Sequence, residues 1–418
     1  MKVLMPYSSE KIEIDIENER IIDIIEQKKT SALKNPKEEI ERSLKDPIDS
    51  ESLLRLLHSE MPKKVVIVVN DITRPTPYKQ ILPTILTTIE KSGIPSDRVT
   101  ILIATGIHRP NTHKENIESF GKEVVDNYKI VNHNSDENLK SIGTLSDGKE
   151  LIINKIAADS DFLITTGQIN LHYFAGYSGG RKSILPGIAS RELITSNHAR
   201  MNEPGCHSGS IEKNPIHTIM LEAALLARVR FTVNVVTNDR KEILSVFSGN
   251  IESAWKKGVE FCKMLSTARI TRKAEVVIVS AGGFPKDINL YQAQKALEHA
   301  AMATKPGGTI VLFAACQEGY GEPKFKEWMD NTNNWEEIFK MFEKKFELGG
   351  HKAFALARAL HNKTTLIITE LNNDIINNCN LLKVNNIYEA LEFIKSKYND
   401  WNCYIMPQGS SVLPIIGE

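Results

Sequence analysis

The run His172–Gly187, HYFAGYSGGRKSILPG, concentrates groups able to do chemistry directly after an apolar stretch that ends at Gly167. Glycine permits close backbone approach and unusual dihedrals, so peptide N–H groups in such a loop can face an anion. Arg181 and Lys182 add positive charge, and a desolvated lysine amine is also a nucleophile. The spacing matches neither the GxGxxG dinucleotide fingerprint nor the Walker pattern, so neither of those phosphate sites is indicated. A glycine-rich basic loop is by itself an ordinary flexible turn, and its neighbours must decide. Those neighbours are histidines: His172 opens the run, His198 follows in RELITSNHARM, which reads as helix, and His108 lies in TGIHRP. Imidazole titrates near ~6.5 and exchanges protons at neutral pH. A hydrogen-bonded boundary histidine is the usual explanation for any one of them. Two at the ends of apolar runs, beside a basic glycine loop, point instead to proton transfer. His58, His113, His133, His207, His217, His299, His351 and His361 lack such company and read as structural or surface residues.

Two further stretches bear on a site. In Asp71-Ile72-Thr73-Arg74-Pro75, Asp71 and Thr73 suit a helix cap. Arg74 offers a planar guanidinium fit for a carboxylate or phosphate. In Pro285–Lys295, Asn289 and Gln292 have capping-box spacing. Leu290, Ala293, Leu297 and Ala300 form an apolar stripe, while Tyr291, Gln292 and Lys295 share a different face. That face is either solvated or a carboxylate clamp.

These groups need a scaffold, and the apolar periodicity supplies an α/β one. Lys64–Asn70, Val99–Ala104 and Phe162–Thr166 read as strands, with a helix at Tyr78–Lys91. Their nearly continuous apolar character is that of parallel strands covered on both faces. In such sheets ligands lie beyond the carboxyl ends, which is where Asp71–Arg74, His108 and His172 fall. Phe231–Thr237 and Glu242–Phe247 read as a hairpin, and Ile251–Ser266 as helix. After Thr267–Arg272 the pattern restarts with strand Glu275–Ser280, helix Leu290–Thr304, a turn at Pro306-Gly307-Gly308 and strand Thr309–Ala314. Thr364–Ile368 and Cys403–Met406 are later strands. The expected architecture is two α/β domains with largely parallel sheets, residues 1–270 and 271–418, and an active-site cleft between them.

Composition narrows the function. The chain has 418 residues, 52 Lys plus Arg against 52 Asp plus Glu, and 41% hydrophobic residues. A balanced charge gives no footprint for nucleic acid. No apolar stretch approaches the ~20 residues of a membrane span. The five cysteines are scattered without a CxxC pair, which excludes a disulfide framework and a thiolate zinc site. With an acidic, weakly apolar start instead of a signal peptide, a cytoplasmic location is expected.

Taken together, Asp71–Pro75, Gly106–Arg109, His172–Gly187, Asn197-His198 and Asp287–Lys295 resemble the lactate racemase family over nearly the whole chain. Its members use a nickel-pincer nucleotide, pyridinium-3-thioamide-5-thiocarboxylic acid mononucleotide, in which two sulfur-bearing arms and a ring carbon hold nickel. The resemblance implies Lys182 as the covalent tether, through a thioamide, and His198 as the nickel ligand. It implies His108 and His172 as the acid/base pair, and Arg74, Tyr291, Gln292 and Lys295 as substrate-binding residues. Asp71, Thr73, Gly179, Gly180 and Arg181 would help to hold the cofactor. The implied reaction racemises a small 2-hydroxy acid, lactate first. Hydride leaves C2 for the cofactor, and the resulting 2-keto acid turns and takes it back on the other face. This avoids a carbanion beside a carboxylate. Separate biosynthetic proteins must supply the cofactor. Another 2-hydroxy acid or a sugar acid suits the same residues. A nicotinamide dehydrogenase is disfavoured by the absent GxGxxG, and a non-catalytic anion- or cofactor-binding protein would not need both bases.

Overall fold

The computed structural model describes residues 1–74 and 76–417. Two compact units divide them, one spanning Lys29–Met264 and the other joining Met1–Lys28 to the chain from Leu265 onward.

In the unit 29–264, a six-stranded sheet runs in the order Ile243–Gly249, Val229–Thr237, Phe162–Gln168, Val65–Asn70, Val99–Ala104, Lys129–Asn132. All neighbours are parallel except the first pair, the expected hairpin. The stretch VVIVV is buried throughout because helices cover the sheet faces, and both sets of side chains find apolar partners. Ile67 and Val69 pack with Ile81 and Ile85 of helix Tyr78–Lys91 and with Ile101, Ile103 and Ile164 of the flanking strands. Pairing runs from Val65 opposite Val99 to Asn70 opposite Ala104, and from Val65 opposite Phe162 to Val68 opposite Thr165. The carboxyl ends of three adjacent strands therefore lie side by side, with Val65–Asn70 in the middle.

The second unit contains a wholly parallel six-stranded sheet, in the order Leu382–Lys383, Thr364–Ile368, Thr304–Phe313, Ala274–Ser280, Cys403–Met406, Ile21–Ile24. The expected turn at Pro306-Gly307-Gly308 is absorbed into the strand Thr304–Phe313. Ala274 pairs with Thr304 but Val276 already pairs with Thr309, so the intervening residues bulge outward, with Gly307 at φ +75. Pro306, exposed in that bulge, has no N–H and needs no ladder hydrogen bond there.

The domain division differs from the expected 1–270 and 271–418. Residues 1–28 belong with the C-terminal part, because Ile21–Ile24 adds the edge strand beside Cys403–Met406. The hairpin Lys2–Tyr7 with Glu10–Asp15 also buries Val3, Met5 and Ile14 against Val276, Ile278 and Val311. The expected linker Thr267–Arg272 contains a strand, Thr267–Ile270, paired in parallel with Leu413–Ile416. Among the described residues no helix is long and apolar enough to cross a membrane.

This division predicts the reach of an N-terminal mutation. Met5→Ala should cost about 2–5 kcal/mol. Hydrogen exchange should rise in the strands Ala274–Ser280 and Thr304–Phe313 while Val65–Asn70 keeps its protection.

Candidate active site

The site grows from the middle strand. As Val65–Asn70 ends, the chain turns through Asp71–Arg74; Pro75, the last residue of that motif, lies outside the described residues. Asp71 is 4% exposed, and its Oδ2 lies 2.6 Å from His108 Nδ1. Thr73 Oγ1 donates to Asp71 Oδ1 at 2.6 Å. The pairing of Asn70 opposite Ala104 brings these two loops together. The His108 loop is fixed from below: the Gly106 N–H donates to the Gly187 carbonyl at 2.9 Å, and Thr105 Oγ1 to the His133 carbonyl at 2.8 Å. Burial pushes the Asp71 carboxyl upward. The hydrogen bonds from His108 and Thr73, with the charges of His108 and Arg74, outweigh burial and hold it below the ordinary aspartate value. An ionised Asp71 accepting from Nδ1–H orients the ring and leaves Nε2 to take a proton. Asp71 thus serves His108 and caps no helix: helix Tyr78–Lys91 begins after Pro77. Its buried carboxylate would also repel a phosphate.

On the other side of the middle strand, Phe162–Gln168 leads into a tight hairpin in which Leu171–His172 pairs with Gly176–Tyr177. Gly176 sits at φ +76, and a Cβ there would meet the Ser210 carbonyl oxygen at 1.9 Å, so only glycine fits. His172 Nδ1 accepts the Ala175 N–H at 3.3 Å, and Nε2 lies 3.2 Å from Lys182 Nζ. Phe174 gathers the remaining groups. His172 packs edge-on against it at 4.5 Å, His198 at 4.9 Å, and Lys182 Nζ stands 5.5 Å from its centroid. His198 occupies the last turn of helix Arg191–Ala199, 7% exposed. The sequence reading named the stretch holding Phe174 but not this residue, whose one signal was an aromatic between two histidine-bearing segments.

The glycine-rich loop differs from expectation. Gly180 N–H donates to the buried Asn234 Oδ1 at 2.7 Å, so it does not face an anion. Gly179 is glycine because a Cβ would strike Ile169 at 2.7 Å. Arg181 is 0% exposed, stacked 3.9 Å above Trp255, with Nη2 donating to the carbonyls of Ala175 and Tyr177. Burial lowers its pKa to about 9. In these contacts the three residues hold the loop together. Lys182 is half-buried; burial, then the charges of Arg74 and Arg181, hold its amine well below the ordinary lysine value.

Arg74 and Thr73 are exposed beside this cluster. A cavity of about 720 Å³ is lined by Asp71 and Arg74 of this turn with Lys79, Glu118, Arg240 and Lys241 among others. Tyr291, Gln292 and Lys295 belong to the other compact unit, on helix Leu290–Ala303, where Asn289 caps by accepting the Gln292 N–H at 3.0 Å. Leu290, Ala293, Leu297 and Ala300 are buried as the stripe required, Gln292 is exposed, and Tyr291 and Lys295 are half-buried. Of the histidines read as structural, His133 is buried against the Ala189 carbonyl at 3.0 Å, and burial lowers its pKa to about 4. Among the described residues, no three His, Cys, Asp or Glu side chains could together hold a metal ion.

Asp71→Asn should reduce turnover about a hundredfold or more, since the ring loses its orienting carboxylate. Its stability deficit relative to the native chain should be full above the ordinary aspartate range. It should shrink as pH falls through the depressed folded-state value, where the native Asp71 is itself protonated. Urea unfolding of both chains across acidic pH measures this.

Comparison with known proteins gives the family. Residues 7–209 match the lactate racemase N-terminal domain and residues 270–414 the lactate racemase C-terminal domain. The lactate racemase of Thermoanaerobacterium thermosaccharolyticum is 37% identical over 421 aligned residues, covering 98% of each chain. That of Lactiplantibacillus plantarum is 36% identical, covering 93% of each. The solved structure of the Thermoanaerobacterium thermosaccharolyticum lactate racemase apoprotein superposes with a TM-score of 0.91 at 34% identity, covering 99% of this chain and 100% of that one. A Thermotoga maritima protein at 18% identity, with a TM-score of 0.65, shares the fold. With both domain models and nearly full-length relatives matched, the chain belongs to the lactate racemase family and is an isomerase of the racemase class.

Proposed function

We propose that this enzyme racemises a small 2-hydroxy acid, lactate first, with a nickel-pincer nucleotide tethered at Lys182 and His198 as the protein ligand to nickel. The observation that carries the reading is topological. His108 and His172 follow the two strands that flank Val65–Asn70, and the Asp71–Arg74 turn stands between them. Racemisation needs a proton acceptor for each enantiomer, and an imidazole after each strand that flanks Val65–Asn70 supplies the pair. The residues present fit the cofactor. Lys182 offers an amine held neutral by its surroundings, and His198 offers a single imidazole packed on the same phenylalanine. One protein ligand suffices when the other donors come with the nucleotide.

When bound, that group supplies an acceptor that takes hydride from C2 and returns it. His108, oriented by Asp71, takes the hydroxyl proton of one enantiomer, and His172 returns a proton to form the other. Arg74 holds the carboxylate while the rest of the 2-keto acid turns. Asp71 and Thr73 act through His108, and the supporting loop Gly179–Arg181 acts by holding Lys182 in place. Roles for Tyr291, Gln292 and Lys295 in binding substrate rest on the family resemblance alone. Five free, buried cysteines support a cytoplasmic setting, where separate proteins would build the cofactor.

Circular dichroism of pure L- and D-lactate incubated with the matured enzyme tests the reaction. Both signals should decay toward zero, and a persistent signal from both would refute lactate as the substrate. Intact mass of the matured chain should show one nucleotide adduct, absent in Lys182→Ala and retained in His198→Ala. The latter should instead lose bound nickel in elemental analysis.

A further inference from the structure

The pairing of Lys182 with His172 has a chemical consequence of its own. A neutral imidazole carries one N–H and one acceptor nitrogen. His172 Nδ1 accepts the backbone N–H of Ala175, a group that can only donate, so the ring proton sits on Nε2. Nε2–H must then donate across the 3.2 Å contact to Lys182 Nζ, which requires a free lone pair on the amine. Lys182 is therefore an unprotonated amine with a proton donor against it. Its surroundings agree: Phe174 lies beside the amine, Arg181 is buried beneath it, and burial with these positive neighbours disfavours an ammonium. A neutral lysine with an adjacent acid is the equipment for condensing with a carbonyl.

We propose that the chain, before it receives its cofactor, forms an imine between Lys182 and a small 2-keto acid. The amine nitrogen attacks the keto carbon to give a carbinolamine. Once a solvent proton has made the ring an imidazolium, His172 Nε2–H protonates the hydroxyl, which leaves as water while the C=N bond forms. The nitrogen proton lost in the step returns to solvent, so one carbonyl and one amine yield one imine and one water with no redox change. Arg74, whose charge already acts on the amine, selects a carboxylate-bearing carbonyl over a neutral one. The inference needs neither nickel nor hydride transfer, so it stands or falls separately from the racemase reading. It assigns the unloaded site a reversible occupant that competes with cofactor attachment at the same nitrogen.

The test uses the full chain produced without cofactor-building proteins, incubated with pyruvate and sodium cyanoborohydride, which reduces the imine to a stable secondary amine. Intact mass should show a single carboxyethyl group, and peptide mapping should place it on Lys182. Lys182→Arg should lose that label. His172→Gln should slow it about a hundredfold. Arg74→Ala should slow labelling by pyruvate about tenfold more than it slows labelling by acetaldehyde. Circular dichroism confirms that each variant is folded. Labelling of Lys182 no faster than that of exposed lysines, or at an unchanged rate in folded His172→Gln, would overturn the proposal.

Discussion

Everything in the unit 29–264 depends on the parallel, in-register pairing of Val65–Asn70 with a strand on each side. Parallel strands deliver their carboxyl ends to the same edge of the sheet, so three chain segments far apart in sequence emerge together there. The middle segment brings Asp71 and Arg74, one neighbour brings His108, and the other brings His172 and then Lys182. A slip of one residue in either pairing would exchange the side chains packed on the two covered faces and spoil the fit of each, so the apolar core fixes the geometry of the polar edge. Core packing and site geometry are here the same constraint.

Above that edge, order comes from buried polar groups that are fully used. Asp71 is committed to His108 and Thr73, Asn234 to the Gly180 N–H, and Ser183 to the Thr166 carbonyl. Each commitment pins a loop that would otherwise be free, and each would be costly to break in a low-dielectric setting. Arg181 is the exception: its Nη2 is bonded to two carbonyls, but its buried Nε and Nη1 have no hydrogen-bond partner among the described residues. An arginine enclosed against Trp255, bonded to carbonyls, places a cationic field under Lys182 and helps to keep its amine neutral. The same charge lowers the pKa of His217 to about 3, after the larger effect of burial, so that ring stays uncharged on Trp255. Charge in this loop acts from beneath, by adjusting the neighbouring base.

Much of the scaffold was legible from local pattern. The strand Val99–Ala104 and the helix Tyr78–Lys91 have the bounds their periodicity implies, and Thr364–Ile368 and Cys403–Met406 likewise. These are segments whose side chains decide their own conformation. Legibility ended where a segment's partner lies far along the chain. Ile21–Ile24 carries no mark that its neighbour is Cys403–Met406, so residues 1–28 were placed with the wrong unit. The turn at Pro306–Gly308 was read as a break because glycine and proline usually end strands, whereas the neighbouring strand accommodates them as a bulge.

For the site, residue chemistry and motif spacing determined which segments matter: Asp71–Arg74, His108, and His172 through His198. What only the tertiary structure decided is how those groups are paired. Asp71 became the partner of His108 instead of a cap, Phe174 became the surface on which two histidines and a lysine meet, and Arg181 with its glycines moved beneath the loop. The reason is physical. A side chain's identity sets what it is able to do, but its protonation and partners follow from burial and from distances of a few ångströms. Those are created only when strands remote in sequence pair.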